Sequence, residues 1–142
     1  MDFPVATNQL LDIPVFSKNG LLIFIKREDL VFPLASGNKW RKLKYNLKAF
    51  QESNASALLT FGGAFSNHLA AVAAMGERYG MKTIGVVRGA ELANKPLNPT
   101  LATCQQNGMQ LCFVSREEYR QKEFGNSVSD LQKTHGTLYV LP

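Results

Sequence analysis

The stretch ALLTFGGAFSNH, residues 57–68, decides the fold of this chain. Its first five residues, Ala57–Phe61, predict a short buried strand, and two glycines then lead into an alanine-rich segment. We predict a helix over Ser66–Tyr79, which ends at Gly80. A strand, a glycine turn and a helix in this order form the first half of a βαβ unit, so the next strand is expected to run parallel to the first.

The same alternation continues along the chain and also precedes this stretch. Predicted strands lie at Leu21–Lys26, Thr83–Val87, Gln110–Val114 and Thr137–Leu141, and predicted helices at Asn38–Glu52, from Pro99 to Gly108, and from Ser115 to about His135. This order predicts an α/β fold in three α/β/α layers, in which right-handed crossovers place helices on both faces of a parallel sheet. Regular alternation begins after Glu52, where we place a domain boundary between residues 1–52 and 53–142.

The composition excludes several classes of protein. The 142 residues are 45% hydrophobic and 19% charged, which is enough for a packed core and is untypical of a disordered chain. No apolar run reaches the roughly 18 residues that a membrane helix needs, and no basic segment followed by an apolar one opens the chain. Cys104 and Cys112 are too few for a disulfide framework and lack the neighbours of a zinc site. We therefore expect a cytoplasmic protein with no bound metal and no membrane contact.

The formal net charge is +5, and one basic cluster stands out on the predicted helix over 38–52. Its members are Lys39, Arg41, Lys42, Lys44 and Lys48. The solvated face of a helix explains such a cluster better than a nucleic-acid interface does, because Trp40 belongs to the apolar stripe and few other aromatics accompany the charges. A third interpretation is attraction of an anionic cofactor or substrate.

Lys39 lies in the segment SGNKWRKL, residues 36–43. Gly37 allows a tight loop and Asn38 is a good N-cap, which places Lys39 in the first helical turn. The positive end of the helix and the neighbouring cations favour an uncharged, nucleophilic amine at Lys39, as Schiff-base chemistry requires. The alternative is that Lys39 is one more exposed lysine on a basic helix.

A second candidate site is the turn FGGAFSNH, residues 61–68. It lacks the three spaced glycines of a dinucleotide fingerprint and the Gly-Lys-Ser/Thr end of a P-loop, so a carboxylate is the expected guest at this helix N-terminus. Ser66 and Asn67 would offer a hydroxyl and an amide. The alternatives are that Ser66 or Asn67 only caps the helix, and that His68 belongs to a hydrogen-bond network.

Taken together, three segments resemble the 1-aminocyclopropane-1-carboxylate deaminase and D-cysteine desulfhydrase family. They are KRED (26–29), SGNK followed by RKL (36–39 and 41–43), and GGAFSNH (62–68), and they occur in the family's order. The resemblance implies a fold type II pyridoxal-phosphate enzyme that releases ammonia and a 2-oxo acid from a small amino acid. It also implies a homodimer for the full-length protein.

The resemblance assigns a role to each of four residues. Lys39 would hold pyridoxal 5'-phosphate covalently and move protons during the reaction, while Ser66 would contact the substrate carboxylate and act as base or nucleophile. Asn67 would bind the phenolic oxygen of the cofactor and adjoin the substrate together with His68. His68 and Trp40 depart from the residues common in the deaminases, and both would border the substrate side of the pocket, which leaves the substrate open. The departure at His68 slightly favours a desulfhydrase or a broader β-elimination activity.

The resemblance further implies that residues 1–52 open the larger cofactor domain and that 53–142 form most of the smaller domain. The phosphate-binding loop and the partner of the pyridine nitrogen would lie in a second half that follows this chain. We therefore expect a truncated chain that has no activity alone. A different class of function, a non-catalytic α/β module that binds a small anion, stays open.

Overall fold

The computed structural model describes residues 5–32, 35, 38–121 and 125–141. The strands are β1 (Asn8–Leu11), β2 (Ile23–Lys26), β3 (Ala57–Gly63), β4 (Thr83–Arg88), β5 (Gln110–Val114) and β6 (Leu138–Val140). The helices are α1 (Pro14–Ser17), α2 (Asn38–Glu52), α3 (Asn67–Tyr79), α4 (Pro99–Gln106), α5 (Arg116–Gln121) and α6 (Gly125–His135). Short 3-10 helices lie at Glu28–Leu30 and Ala90–Leu92.

Four strands form a parallel sheet in the order β5-β4-β3-β6, which confirms the predicted α/β class. Because successive residues of a strand point to opposite faces, β3 contributes to two cores. Leu58 packs in a cluster with residues of α2, α3 and α4, whereas Ala57 and Leu59 pack in another cluster with residues of α6. Helices therefore cover both faces of the sheet, as the sequence predicts.

The N-terminal hairpin differs from the prediction. Strand β2 begins at Ile23 and pairs antiparallel with β1, a strand that the sequence analysis did not identify. The two strands form a separate two-stranded sheet. β1 has four residues, three of them exposed, so it lacks the apolar alternation by which a strand is recognised in a sequence.

Helix α3 follows the predicted boundaries for local reasons. Ser66 has extended backbone angles, and its side chain accepts a hydrogen bond from the Leu69 N–H at 3.3 Å. At the other end Gly80 has φ +64, a conformation that favours glycine. The predicted end of β3 was wrong by two residues, because Gly62 and Gly63 still pair with Val87 and Arg88 of β4.

Candidate active site

On helix α2, Lys39 lies next to the buried apolar residues of the helix. Trp40, Leu43 and Leu47 are each at most 1% exposed and fix the orientation of the helix against the core. Lys42 and Asn46 lie three and seven residues after Lys39, so they share its side of the helix. Lys39 is in the first turn, as predicted, whereas Ser36 and Gly37 of the predicted loop lie outside the described residues.

Lys39 lines a cleft of about 470 Å³, a volume in the range of small-molecule sites. The other lining residues are Lys42, Leu43, Asn46, His68 and Leu141. They come from three places: α2, the first turn of α3, and the residue that follows β6. The structure thus brings together Lys39 and His68, two of the four residues that the sequence singled out.

The cleft lies at the point where the order of the strands reverses. From β3 the chain moves to β4 and β5 on one side, and it returns to β6 on the other side of β3. The Leu141 N–H continues this pairing by donating to the Leu59 carbonyl oxygen at 2.8 Å. Open α/β sheets bind ligands beyond the carboxyl ends of the strands at such a reversal, and His68 and Leu141 both follow those ends.

His68 is held between the sheet and α2. Its Nε2 atom lies 2.8 Å from Oγ1 of Thr60, a buried residue of β3. Burial lowers the pKa of His68 below its usual value, and the charges of Lys39 and Lys42 lower that pKa further. The lowered pKa favours the neutral form of the imidazole at pH 7. The predicted network role of His68 is confirmed by its contact with Thr60.

Ser66 and Asn67 adjoin the cleft at the start of α3 but are not among the residues that line it. Ser66 caps the helix through Oγ, which confirms one of the two interpretations of this serine. Capping uses an acceptor position of the hydroxyl, so the O–H group can still donate to a carboxylate. Asn67 is exposed in the first turn of the helix. The catalytic and binding roles of Ser66 and Asn67 stay predictions.

The turn before α3 is fixed by its neighbours. A Cβ atom on Gly62 would lie 2.6 Å from Oγ of Ser66 and 2.7 Å from Cγ of Leu69, so Gly62 makes room for the helix start. The Asn98 side chain donates from Nδ2 to the Ala64 carbonyl oxygen at 2.9 Å. The same side chain caps α4 by accepting from the Leu101 N–H at 2.9 Å. Asn98 thus joins the start of α4 to the turn.

Trp40 does not border the cleft. It is fully buried, and its ring packs on Phe32 with a centroid distance of 4.6 Å. Its departure from the family's usual residue therefore concerns packing behind α2, and the expectation that Trp40 adjoins the substrate side of the pocket was wrong.

Asn46, Thr60 and Leu141 were not predicted for this region, and Lys42 was identified only as a member of the basic cluster. Lys42 and Asn46 could have been found from their helical spacing relative to Lys39. Thr60 and Leu141 have no local pattern that marks them, because their positions depend on the pairing of β3 with β6. Among the described residues, no group of three or more His, Cys, Asp or Glu side chains could hold a metal ion.

The basic cluster of α2 is partly neutralised. Arg41 forms an ion pair with Glu28, with 2.6 Å between Nη2 and Oε1, and Lys48 lies 3.8 Å from Glu52. Lys39 and Lys42 line the cleft. These positions favour a small anionic ligand over a nucleic acid as the partner of the basic residues.

Comparison with known proteins identifies relatives along most of the chain. No model of a known protein family matches it. A Thermotoga maritima protein, provisionally named a 1-aminocyclopropane-1-carboxylate deaminase, is 36% identical over 127 residues, which are 88% of this chain and 40% of that protein. The bifunctional D-cysteine desulfhydrase/1-aminocyclopropane-1-carboxylate deaminase of Arabidopsis thaliana mitochondria is 28% identical over 87% of this chain and 33% of its own length.

A solved structure described as a homologue of 1-aminocyclopropane-1-carboxylate (ACC) deaminase covers 99% of this chain with a TM-score of 0.69 and 27% identity. The chain belongs to the 1-aminocyclopropane-1-carboxylate deaminase and D-cysteine desulfhydrase family. It corresponds to the N-terminal portion of the family's proteins and spans about 40% of the length of the Thermotoga relative.

The fold of this family member is that of the fold type II enzymes. The O-acetylserine-dependent cystathionine β-synthase of Helicobacter pylori shares it over 97% of the chain, with a TM-score of 0.53 and 16% identity. Within the described residues, no helix is long and apolar enough to cross a membrane.

Proposed function

We propose that this chain is the N-terminal portion of a pyridoxal-phosphate-dependent lyase that acts on a small amino acid and releases ammonia and a 2-oxo acid. The main support is that Lys39 and His68 line the same cleft, at the point where the order of the strands in the sheet reverses. The names of the relatives, deaminase and desulfhydrase, support the reaction class.

The residues of the cleft fit the cofactor. The cleft has room for a small molecule, Lys42 offers a partner for an anionic group, and Lys39 provides the primary amine that an aldehyde needs. We propose that Lys39 holds the cofactor covalently and that Asn67 binds its phenolic oxygen. When bound, pyridoxal phosphate supplies an electron sink for charge that develops at the substrate α-carbon.

The chain's own side chains would do the remaining work. We propose that the Lys39 amine takes and returns protons at substrate carbon atoms, and that the Ser66 hydroxyl donates to the substrate carboxylate or acts as base or nucleophile. Asn67 and His68 would complete the substrate contacts at the start of α3. With D-cysteine, loss of the α-proton and of the β-thiol, followed by hydrolysis with one water molecule, would give pyruvate, ammonia and hydrogen sulfide. With the cyclopropane substrate, ring opening followed by hydrolysis with one water molecule would give 2-oxobutanoate and ammonia.

In our proposal, His68 is the residue that distinguishes between these two substrates. A neutral imidazole stands where the deaminases usually have an amide, so we favour a desulfhydrase or a broader β-elimination activity. We propose no activity for residues 1–142 by themselves, since the chain spans about 40% of the length of its Thermotoga relative.

We also propose the domain division, the assembly state and the location. Residues 1–52 would open the larger cofactor domain and 53–142 would form most of the smaller one. The support is that Leu10, Phe24 and Ile25 of the hairpin are 44–58% exposed, as expected of strands that further chain would cover. Helix α2 shares a core with α3 and would join the two domains. The whole protein would be a cytoplasmic homodimer, which light scattering at several concentrations would test.

Covalent trapping tests the proposed function. The chain would be incubated with pyridoxal phosphate, reduced with borohydride and mapped by peptide mass spectrometry. Because reduction is irreversible, adduct accumulates even when binding is weak. We expect the adduct predominantly on Lys39, in the wild type and in the matched control K42A, and its loss in K39A.

Uniform labelling of all lysines, or unchanged labelling of the cleft in K39A, would contradict the proposal. An anion-binding module with no catalytic lysine is the second candidate, because two lysine side chains line the cleft. It predicts that phosphate protects the cleft lysines from modification while pyridoxal phosphate forms no selective adduct.

A further inference from the structure

The charged segment KRED, residues 26–29, lies outside the set of residues that line the cleft. It runs from the last residue of β2 into the 3-10 helix at Glu28–Leu30. Arg27 and Asp29 form two hydrogen bonds with each other, 2.9 Å from Nε to Oδ1 and 2.7 Å from Nη2 to Oδ2. Arg27 also donates to Oε1 of Gln9 in β1. These two residues therefore hold the segment to the hairpin.

Glu28 instead contacts α2. Its carboxylate accepts two hydrogen bonds from the guanidinium of Arg41, with 2.6 Å between Nη2 and Oε1 and 3.1 Å between Nε and Oε2. The direction of both bonds is fixed, because a guanidinium only donates and an ionised carboxylate only accepts. The hydrogen bonds from Arg41 lower the pKa of Glu28, which keeps its carboxylate ionised at neutral pH. Such two-bond pairs fix the relative orientation of both groups.

Arg41 lies in the first turn of α2, two residues after Lys39. The first turn of a helix lacks intrahelical partners for several N–H groups, so it opens more readily than the middle of the helix. On the buried side of this turn Trp40 packs on Phe32, and on the exposed side Arg41 binds Glu28. Opening of the turn would move the backbone of Lys39 and, with it, the amine in the cleft.

We propose that Glu28 is a positioning residue for Lys39: its carboxylate binds the guanidinium of Arg41, holds the first turn of α2 closed and thereby keeps the Lys39 amine in the cleft. The KRED segment thus joins the hairpin to the lysine helix. The task of the Lys39 amine rests on the proposed function, whereas the closed turn depends only on contacts within this chain.

Amide hydrogen exchange of the chain tests the closed turn directly. The N–H groups of Lys42 and Leu43 donate to carbonyl groups four residues earlier, in the first turn of α2, so their exchange reports its opening. An exposed ion pair corresponds to a factor of about two to five, and we expect exchange at these two amides to be faster by that factor in E28Q and in R41Q. The double variant E28Q/R41Q should exchange no faster than either single variant, because the same contact is lost in all three.

E52Q is the matched control. Glu52 is at the other end of the same helix, where its carboxylate lies 3.8 Å from Nζ of Lys48, so E52Q removes one carboxylate from α2 without touching the first turn. It should leave exchange at Lys42 and Leu43 unchanged. Unchanged exchange in E28Q, or equal acceleration in E52Q, would overturn the inference. Fluorescence of the single, buried Trp40 reports whether each variant folds, and R41Q carries the same test if E28Q does not fold.

Borohydride trapping with pyridoxal phosphate is the second readout, with the exposed Lys18 as internal reference. The adduct on Lys39 relative to Lys18 should form about two to five times more slowly in E28Q, because the open turn takes the amine out of place. An unchanged or faster adduct on Lys39 would refute the positioning role, since the unpaired charge of Arg41 by itself favours the uncharged, reactive amine. If the wild type gives no selective adduct on Lys39, the proposed function fails, and hydrogen exchange still decides whether Glu28 holds the turn.

Discussion

Two neighbouring glycines of β3 should respond in opposite ways to the same substitution. In G62A the new methyl group would lie 2.6 and 2.7 Å from Oγ and Cβ of Ser66 and 2.7 Å from Cγ of Leu69. In G63A the nearest atom is Nη2 of Arg88 at 3.7 Å, an ordinary van der Waals contact. A comparison of G62A with G63A therefore measures the effect of the limited space beneath the first turn of α3.

The expected cost of G62A follows from these contacts. Leu69 is fully buried and cannot rotate away, so the start of α3 must shift. Overpacking costs about 1–3 kcal/mol, and distortion of the Ser66 cap adds about 1 kcal/mol, which gives a loss of roughly 2–4 kcal/mol in the free energy of unfolding. For G63A we expect a change between zero and a gain of about 1 kcal/mol, because alanine reduces the entropy of the unfolded chain.

Urea unfolding followed by the fluorescence of Trp40 would measure both variants, with the slope against urea checked for constancy. G62A should also move the imidazole resonances of His68, because His68 is in the turn that shifts. A G62A protein as stable as the wild type, or a G63A protein destabilised as much as G62A, would refute the idea that Gly62 is required by the packing of Ser66 and Leu69.

Three further predictions concern the surroundings of the cleft. W40A should lose about 3–5 kcal/mol of stability in urea unfolding followed by circular dichroism, because it leaves a cavity behind α2; a loss below 1 kcal/mol would contradict the burial of this ring. N98D keeps the cap on α4 but replaces the amide that donates to Ala64, so it should cost about 1–3 kcal/mol, and a neutral or stabilising effect would mean that the tie to the turn contributes nothing. The pKa of His68 is lowered in the folded state, so on acidification the unfolded chain takes up a proton at this residue at a higher pH than the folded chain does. The free energy of unfolding of the wild type should therefore fall as the pH drops below about 6.5. Urea unfolding at pH 5 and pH 7.5 would measure the free energy of unfolding of the wild type and of H68Q. Relative to H68Q, the wild type should be less stable at pH 5 than at pH 7.5, and a difference independent of pH would contradict this.

Local patterns were sufficient for the elements around the sheet and insufficient for their arrangement. The apolar stripe of α2 and the end of α3 at Gly80 were predicted, and the cap at Ser66 was one of the alternatives, because each depends on a few neighbouring residues. The hairpin of β1 and β2 was missed because its strands are short and exposed and depend on each other for hydrogen bonds.

The site was only half predictable for the same reason. Lys39 and His68 were found from their motifs, but the cleft also depends on β6 lying beside β3, a pairing between distant segments. Thr60 has no distinguishing neighbours in the sequence, and its contact with His68 exists because the helix folds back over the strand that precedes it. Whether Ser66 and Asn67 contact a substrate depends on a ligand and stays a prediction.

The pairing of Leu59 with Val140 also sets when the cleft can form during folding. β3 and β4 are close in sequence and can associate early, whereas β6 must close a loop of some eighty residues before it reaches the other edge of β3. Until then, β3 has an unpaired, apolar edge that another copy could occupy. We expect the cleft to be assembled last, and the nascent chain to be most prone to aggregation just before β6 pairs with β3.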